Sequence, residues 1–145
     1  METLWSDASR FEHMLQVVIA VLQALADEGR VPSGAVAAVQ ERAAVDIDRI
    51  NEIEATTDHD VVAFVSQVAE SVGEEGRWIH FGLTSSDVVD TGLALQCRAA
   101  ADLILAALDE TIAVVVSKAR EHAETLQMGR THGVHAEPLT FGLKL

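Results

Sequence analysis

The stretch that decides the fold runs from Asp87 to Thr125, DVVDTGLALQCRAAADLILAALDETIAVVVSKAREHAET. It has no proline, and Gly92 is its only glycine, so nothing in it stops a helix outright. Apolar residues recur at Leu93, Cys97, Ala100, Ile104, Leu108, Ile112, Val115 and Ala119. The spacing is mostly three and four, which is a helical stripe. A helix of that length spans about 60 Å at about 1.5 Å per residue. A chain of 145 residues is too small to surround such a rod. The stripe therefore calls for a longer bundle, completed by more chain or by other subunits. Cys97 lies on the stripe and is expected in the core.

Working outward, the remaining segments also read as helix. Ser6 or Asp7 caps a first helix that places Phe11, Met14, Leu15, Val18, Ile19, Leu22 and Leu25 on one stripe and ends at Gly29. Pro32-Ser33 opens a second segment through Ala44, and Asp46 to Glu54 continues helically with Ile47, Ile50 and Ile53 three apart. Thr57 and Asp60 have the spacing of a capping box for a helix carrying Val61, Val62, Phe64, Val65 and Val68, closed by Gly73 and Gly76. Arg77 to Ser86 reads as a loop, and Thr84-x-x-Asp87 gives a second capping pattern. At the far end Pro138 suits a first helical turn. The segment Leu139 to Leu145 then stops without cap or turn, as if cut in mid-helix. The expected class is all-α.

Composition narrows the partners. Aromatic residues are scarce, four Phe, two Trp and no Tyr, while Ala, Val and Leu dominate, which suits close-packed helices. A formal charge of −13 excludes nucleic acid or an anionic membrane as a general partner, since both need a basic face. One cysteine allows no intrachain disulfide and no thiolate metal cluster, and fits a reducing cytoplasm. No apolar run approaches membrane-spanning length, and Met1 to Arg10 has neither the basic nor the hydrophobic region of a secretory signal.

Three clusters of polar residues carry the chemistry: Asp58-His59-Asp60, His80 to Asp87, and Arg130 to His135. Each falls at or near an expected helix start, where free N–H groups and the helix dipole favour anions. The third is the densest. Gly129-Arg130-Thr131-His132-Gly133-Val134-His135-Ala136-Glu137-Pro138 sets a guanidinium, a hydroxyl, two imidazoles and a carboxylate among glycines that let backbone approach a ligand closely. Converging loops of this kind suit a carboxylate- or phosphate-bearing substrate, with two imidazoles dividing proton transfer near neutral pH. Bland readings stand beside these. Acids in a first turn are ordinary for a solvated helix N-terminus, and Thr84 to Asp87 is accounted for by capping alone. His132 and His135 are three apart, but Gly133 and Pro138 argue against one helix presenting both, and no third ligand is spaced to help. No metal or other cofactor is expected.

Trp78-Ile79-His80-Phe81-Gly82-Leu83-Thr84-Ser85-Ser86-Asp87-Val88-Val89-Asp90-Thr91, together with Gly129 to Gly142, resembles the adenylosuccinate lyases of the fumarase/aspartase superfamily. Other branches usually carry Leu-Gln after the Thr-His, where this chain has Gly133-Val134. The resemblance covers nearly all of this chain but about the first third of a family member. It implies an N-terminal helical domain over 1–83 and, over 84–145, the beginning of the central long-helix bundle domain. It also implies a β-elimination releasing fumarate from adenylosuccinate and from the succinyl-carboxamide ribotide of purine biosynthesis.

Residue by residue, His132 matches the general acid and His59 a second histidine that orients substrate and charge. Asp58 and Asp60 fall in a substrate-binding segment, Thr84 and Ser85 match the pair contacting the succinyl portion, and His80 and Thr131 line the same pocket. A cytoplasmic homotetramer, with each site assembled from three subunits, is implied as well. Departures are visible: no Arg-Tyr pair near the start, no Ser-Ser-x-Met-Pro loop to supply a serine base, Asp58 where a basic or amide residue is common, and Leu139 in place of Thr. This chain alone is therefore expected to be inactive. Another lyase or cycloisomerase of the superfamily, or a non-catalytic helical assembly module, are the alternative readings.

Overall fold

The structure, a computed structural model, describes residues 1–145. Six α-helices and one β-hairpin make it up: α1 (Asp7–Asp27), α2 (Ser33–Arg42), α3 (Ile47–Thr57), α4 (Asp60–Val72), α5 (Ser85–Glu121), β1 (Leu126–Thr131), β2 (Val134–Thr140) and α6 (Phe141–Lys144). Short 3₁₀ turns occupy Glu2–Trp5 and Glu74–Trp78. The chain falls into two units, Met1–Ala100 and Ala101–Leu145. α5 runs through both.

In the first unit the capping residues do what their chemistry suggests. Ser6 accepts the Ser9 N–H to start α1, and Gly29 turns the chain away at φ 72°. Pro32 precedes α2, which ends at Arg42 rather than continuing to Ala44. A short linker follows, because Asp46 accepts the Arg49 N–H and begins α3 as a separate helix. Gln67, buried on α4, holds that linker: its Nε2 donates to the Ala44 carbonyl (3.1 Å) and its Oε1 accepts from the Asp46 N–H (3.1 Å). A buried amide so satisfied costs little. The expected capping box at Thr57 is displaced by two residues. Thr57 ends α3, and His59 is the residue that caps α4.

The core of this unit gathers the apolar faces of α1, α2 and α4, with Ile50 of α3 and Val88 of α5. Phe11 and Phe64 stack at its centre with ring centroids 5.7 Å apart and planes 11° apart. Gly92 allows α5 to lie against α1, since a Cβ there would meet the Met14 side chain at 3.2 Å.

The second unit begins along α5, where Leu103, Ile104, Leu105, Leu108, Ile112 and Val114 are all exposed. Cys97, expected in the core, is also exposed. Of the expected stripe, Ala100 is buried and Val115 and Ala119 are half-buried, while Leu93, Ile104, Leu108 and Ile112 stand exposed. Beyond α5 the expected helix opened by Pro138 is absent. Pro138 instead sits in β2 opposite Met128, in a two-stranded antiparallel ribbon. Each strand of such a ribbon has a free edge, so a residue without an N–H is tolerated. Gly129 lies where the pairing shifts register, and a Cβ on it would stand 2.8 Å from the Glu137 carbonyl oxygen. α6 closes back onto the end of α5: the Phe141 N–H donates to Thr125 (2.7 Å) and the Gly142 N–H to His122 (2.9 Å).

Replacing Phe64, which is fully buried, by Ala is expected to cost about 3–5 kcal/mol of stability. Replacing the exposed Val62 of the same helix by Ala should stay within about 0.5 kcal/mol. Denaturant midpoints for the two variants check the difference.

Candidate active site

One backbone property links the three polar clusters. The only non-glycine residues with left-handed φ are Asp58 (48°), His80 (68°) and His132 (52°), one in each cluster. Asp, Asn and His enter that region more readily than other side chains, yet it remains uncommon. Left-handed residues of this kind gather at functional loops, where they re-aim a neighbouring side chain.

In the first cluster, Asp58 ends α3 in the left-handed conformation and turns the chain directly into α4. His59 then caps α4, its Nδ1 accepting from the Val62 N–H at 3.4 Å, with the ring half exposed. Asp60 opens the helix and is not free. One carboxylate oxygen accepts the Val61 N–H at 2.8 Å, and the other is paired with the Arg10 guanidinium from α1. Partial burial pushes the Asp60 carboxyl up. The hydrogen bond from Arg10, the Val61 N–H and the charges of Arg10 and His59 outweigh it and hold the group below the usual carboxylate range.

In the second cluster, His80 follows the Glu74–Trp78 turn, where Trp78 meets Phe81 edge to face. Its Nε2 is buried without a partner, as is Nε1 of Trp78, so this loop holds unspent hydrogen-bonding capacity. Thr84 and Asp87 form the expected cap of α5: the Thr84 N–H and hydroxyl both donate to Asp87, at 2.8 and 3.0 Å. The Thr84 N–H first, then its hydroxyl, lower the Asp87 carboxyl, with His80 adding to the effect against slight desolvation. That leaves Ser85, beside the cap, with its hydroxyl unengaged.

The second cluster meets the side of α4, beyond Asp58, His59 and Asp60. A cleft of about 150 Å³ is lined by Val61, Val62, Val65 and Ser66 of α4 together with His80 and Ser85. It is smaller than the several hundred Å³ of a typical ligand site, so it suits one end of a ligand. Ser66 was not expected here; its polar side chain, one turn along an apolar helix, carries no motif. Arg10 was also missed, because its partner lies 50 residues away.

The third cluster is built in the second unit. It lies at a hairpin turn and not at a helix start, a correction to the sequence-based expectation. Thr131 pairs with Val134, and His132 and Gly133 form the two-residue turn with φ 52° and 74°. Positive φ at both central positions matches the twist of the flanking strands. Thr131, His132 and His135 are all exposed at this tip. A concavity of about 520 Å³ lies alongside, lined by Gln127, Met128, Gly129, Arg130, Leu139 and Lys144. Of the third cluster only Arg130 lines it; His132 and Thr131 do not.

A helical scaffold that holds imidazoles and hydroxyls on left-handed loops is suited to acid–base chemistry. The family model described as lyase matches residues 1–145, and the chain belongs to that lyase family. It is 50% identical over 145 residues to an adenylosuccinate lyase of Bacillus subtilis (strain 168), covering all of this chain and 34% of that protein. An adenylosuccinate lyase of Aquifex aeolicus (strain VF5) is 52% identical, again over all of this chain and 34% of its own length. The chain thus spans about a third of the curated relatives it matches. Among solved structures, a fumarate lyase from Mesorhizobium sp. BNC1 superposes with a TM-score of 0.91 at 29% identity, covering 99% of this chain and 34% of that one. A 3-carboxy-cis,cis-muconate lactonizing enzyme from Pseudomonas putida gives 0.88 at 36% identity, over 99% and 34%.

The depressed Asp60 carboxyl makes an acid-side prediction. A group held below its unfolded pKa contributes stability above that value, near about 3.9, and loses it as pH falls through the folded pKa. Asp60→Asn should therefore lower stability only slightly near neutrality, since the pair is over a third exposed, and flatten the fall in stability below about pH 4. Thermal melts of both proteins from pH 7 to acid check this; parallel acid limbs would contradict it.

Proposed function

We propose that this chain supplies part of the active site of an adenylosuccinate lyase. The reaction is β-elimination of fumarate from adenylosuccinate, giving AMP, and from the succinyl-carboxamide ribotide of purine biosynthesis. The observation that carries the reading is identity of about half to adenylosuccinate lyases of two distant bacteria along the whole chain. Identity to the muconate lactonizing enzyme is 36%, and the Gly133-Val134 that follows Thr131-His132 favours the purine branch over the cycloisomerases.

In this reading a proton leaves the succinyl carbon beside a carboxylate, the C–N bond breaks, and the departing nitrogen takes a proton from His132. The solvent-facing hairpin tip leaves the His132 ring free to reach substrate. Charge that develops on the succinyl carboxylate is met by prepositioned donors. Thr84 and Ser85, at the start of α5, serve there, Ser85 with an unengaged hydroxyl and Thr84 by turning its hydroxyl from Asp87 to the substrate, with the helix N-terminus behind them. His59 and Asp58 orient substrate from the α3–α4 turn, while His80 and Thr131 complete the lining. Asp60 belongs to the same segment. The base that removes the carbon-bound proton is not assigned to a residue of this chain, and no cofactor enters the scheme.

The assembly is proposed on the same footing. Residues 1–83 form the N-terminal helical domain and 84–145 begin the central long-helix bundle. The exposed apolar residues of α5 from Leu103 to Val114 pack in a homotetramer, in the cytoplasm. No helix is long and apolar enough to cross a membrane.

The test is turnover by the full-length protein with adenylosuccinate, argininosuccinate and carboxy-muconate as competing substrates. Adenylosuccinate should be cleaved far faster than the others; preference for either rival assigns another branch. His132→Asn is the informative variant, because Asn suits a left-handed turn position as well as His does. It should lower kcat by about 100-fold or more, the usual range for losing a general acid, while sedimentation shows an unchanged oligomer. Normal turnover in that variant would remove His132 from the role of acid.

A further inference from the structure

Asp60 sits between two partners. On one side the Arg10 guanidinium pairs with its Oδ2, and on the other the His59 ring approaches its Oδ1, with Nδ1 3.7 Å away. Oδ1 also accepts the Val61 N–H. Both oxygens are thus engaged within the protein. Arg10 is itself fixed: its guanidinium lies 5.1 Å from the Phe11 ring centroid, and Phe11 stacks on Phe64. Asp60 and Phe64 are four apart on α4 and face α1 together. The result is a two-point clamp between α1 and the first turn of α4, one point apolar and one ionic.

We propose that Arg10 is a positioning residue, acting through Asp60 to fix the His59 ring, and that the Asp60 carboxylate serves this clamp instead of contacting substrate. The inference rests on the lyase reading for His59. Arg10 lies on a different helix, 50 residues from Asp60, and at the surface the pair is about one-third exposed on each side. An ion pair so exposed adds little stability. Its consequence is geometric: the clamp holds the first turn of α4, whose Val62 N–H donates to Nδ1 of His59 and so sets the ring.

The test is a double-mutant cycle in the full-length enzyme with adenylosuccinate, using Arg10→Met, Asp60→Asn and both together, with His59→Gln as reference. Each single variant should lower kcat about tenfold with KM changed less than about threefold, the pattern of an interaction expressed in the transition state. The double variant should be no worse than the poorer single one, because the two residues act as one unit. Arg10→Lys, which keeps the charge, should recover most of the turnover.

Several results would overturn the proposal. Losses that multiply in the double variant would separate the two residues. A raised KM with intact kcat in Asp60→Asn would make Asp60 a substrate contact. A lowered melting temperature with unchanged kinetics would leave the clamp merely structural. If Arg10→Met does not fold, the KM-against-kcat split in Asp60→Asn and the Arg10→Lys kinetics decide alone. Full turnover in His59→Gln would instead defeat the reading of the site on which the proposal stands.

Discussion

Phe11 on α1 and Phe64 on α4 stack in the middle of the first unit, and the placement of its functional groups descends from that contact. Burying two such rings against each other supplies both apolar area and a preferred geometry. The stack fixes the rotation of α4 about its axis. That rotation in turn brings Asp60 to Arg10, sets His59 at the exposed N-terminus, and turns Val62, Val65 and Ser66 toward His80 and Ser85. Gln67 works from the same helix in another direction, holding the α2–α3 linker by its backbone. A single packed helix thus positions two of the three polar loops.

Strain is distributed in a similarly economical way. Each polar loop contains one left-handed residue, and each is of a type that tolerates the conformation. At Asp58 the left-handed step lets α3 end and α4 begin with only Asp58 and His59 between them. At His132 it forms half of a two-residue turn, so the imidazole is carried on the most projecting point of the hairpin. Backbone geometry that a helix or strand would not allow is what exposes these groups. In an assembled enzyme such preset loops would need little reorganisation during reaction.

Helices were legible because their signals are local. Ser6, Gly29 and Gly73, and the Thr84–Asp87 pair, act within a few residues of where they stand, and each boundary they imply is close to the observed one. Thr57 misled because His59, an unusual cap, competes for the same N–H groups two residues on. The hairpin was not legible. Pro138 was a reasonable helix opener, and Gly129 a plausible ligand cradle, but together they mark a ribbon whose backbones approach too closely for a Cβ at position 129. Cys97 was placed in the core by its stripe position. The helix is as expected, while Cys97 on it is exposed. Of the proposed site, the three clusters are read from residue types alone. The Arg10–Asp60 pair and Ser66 are not, since they depend on which helix faces which.

In the proposed reaction His132, His59 and the Thr84–Ser85 pair, drawn from the subunits of the full-length assembly, act on one substrate. A structure of the full-length protein with AMP and fumarate bound tests it most directly. The account predicts the His132 imidazole within about 3.2 Å of the purine nitrogen that leaves, with Thr84 and Ser85 donating to a fumarate carboxylate. Products bound elsewhere, with His132 turned to solvent and the hydroxyls of Thr84 and Ser85 unengaged, would contradict it.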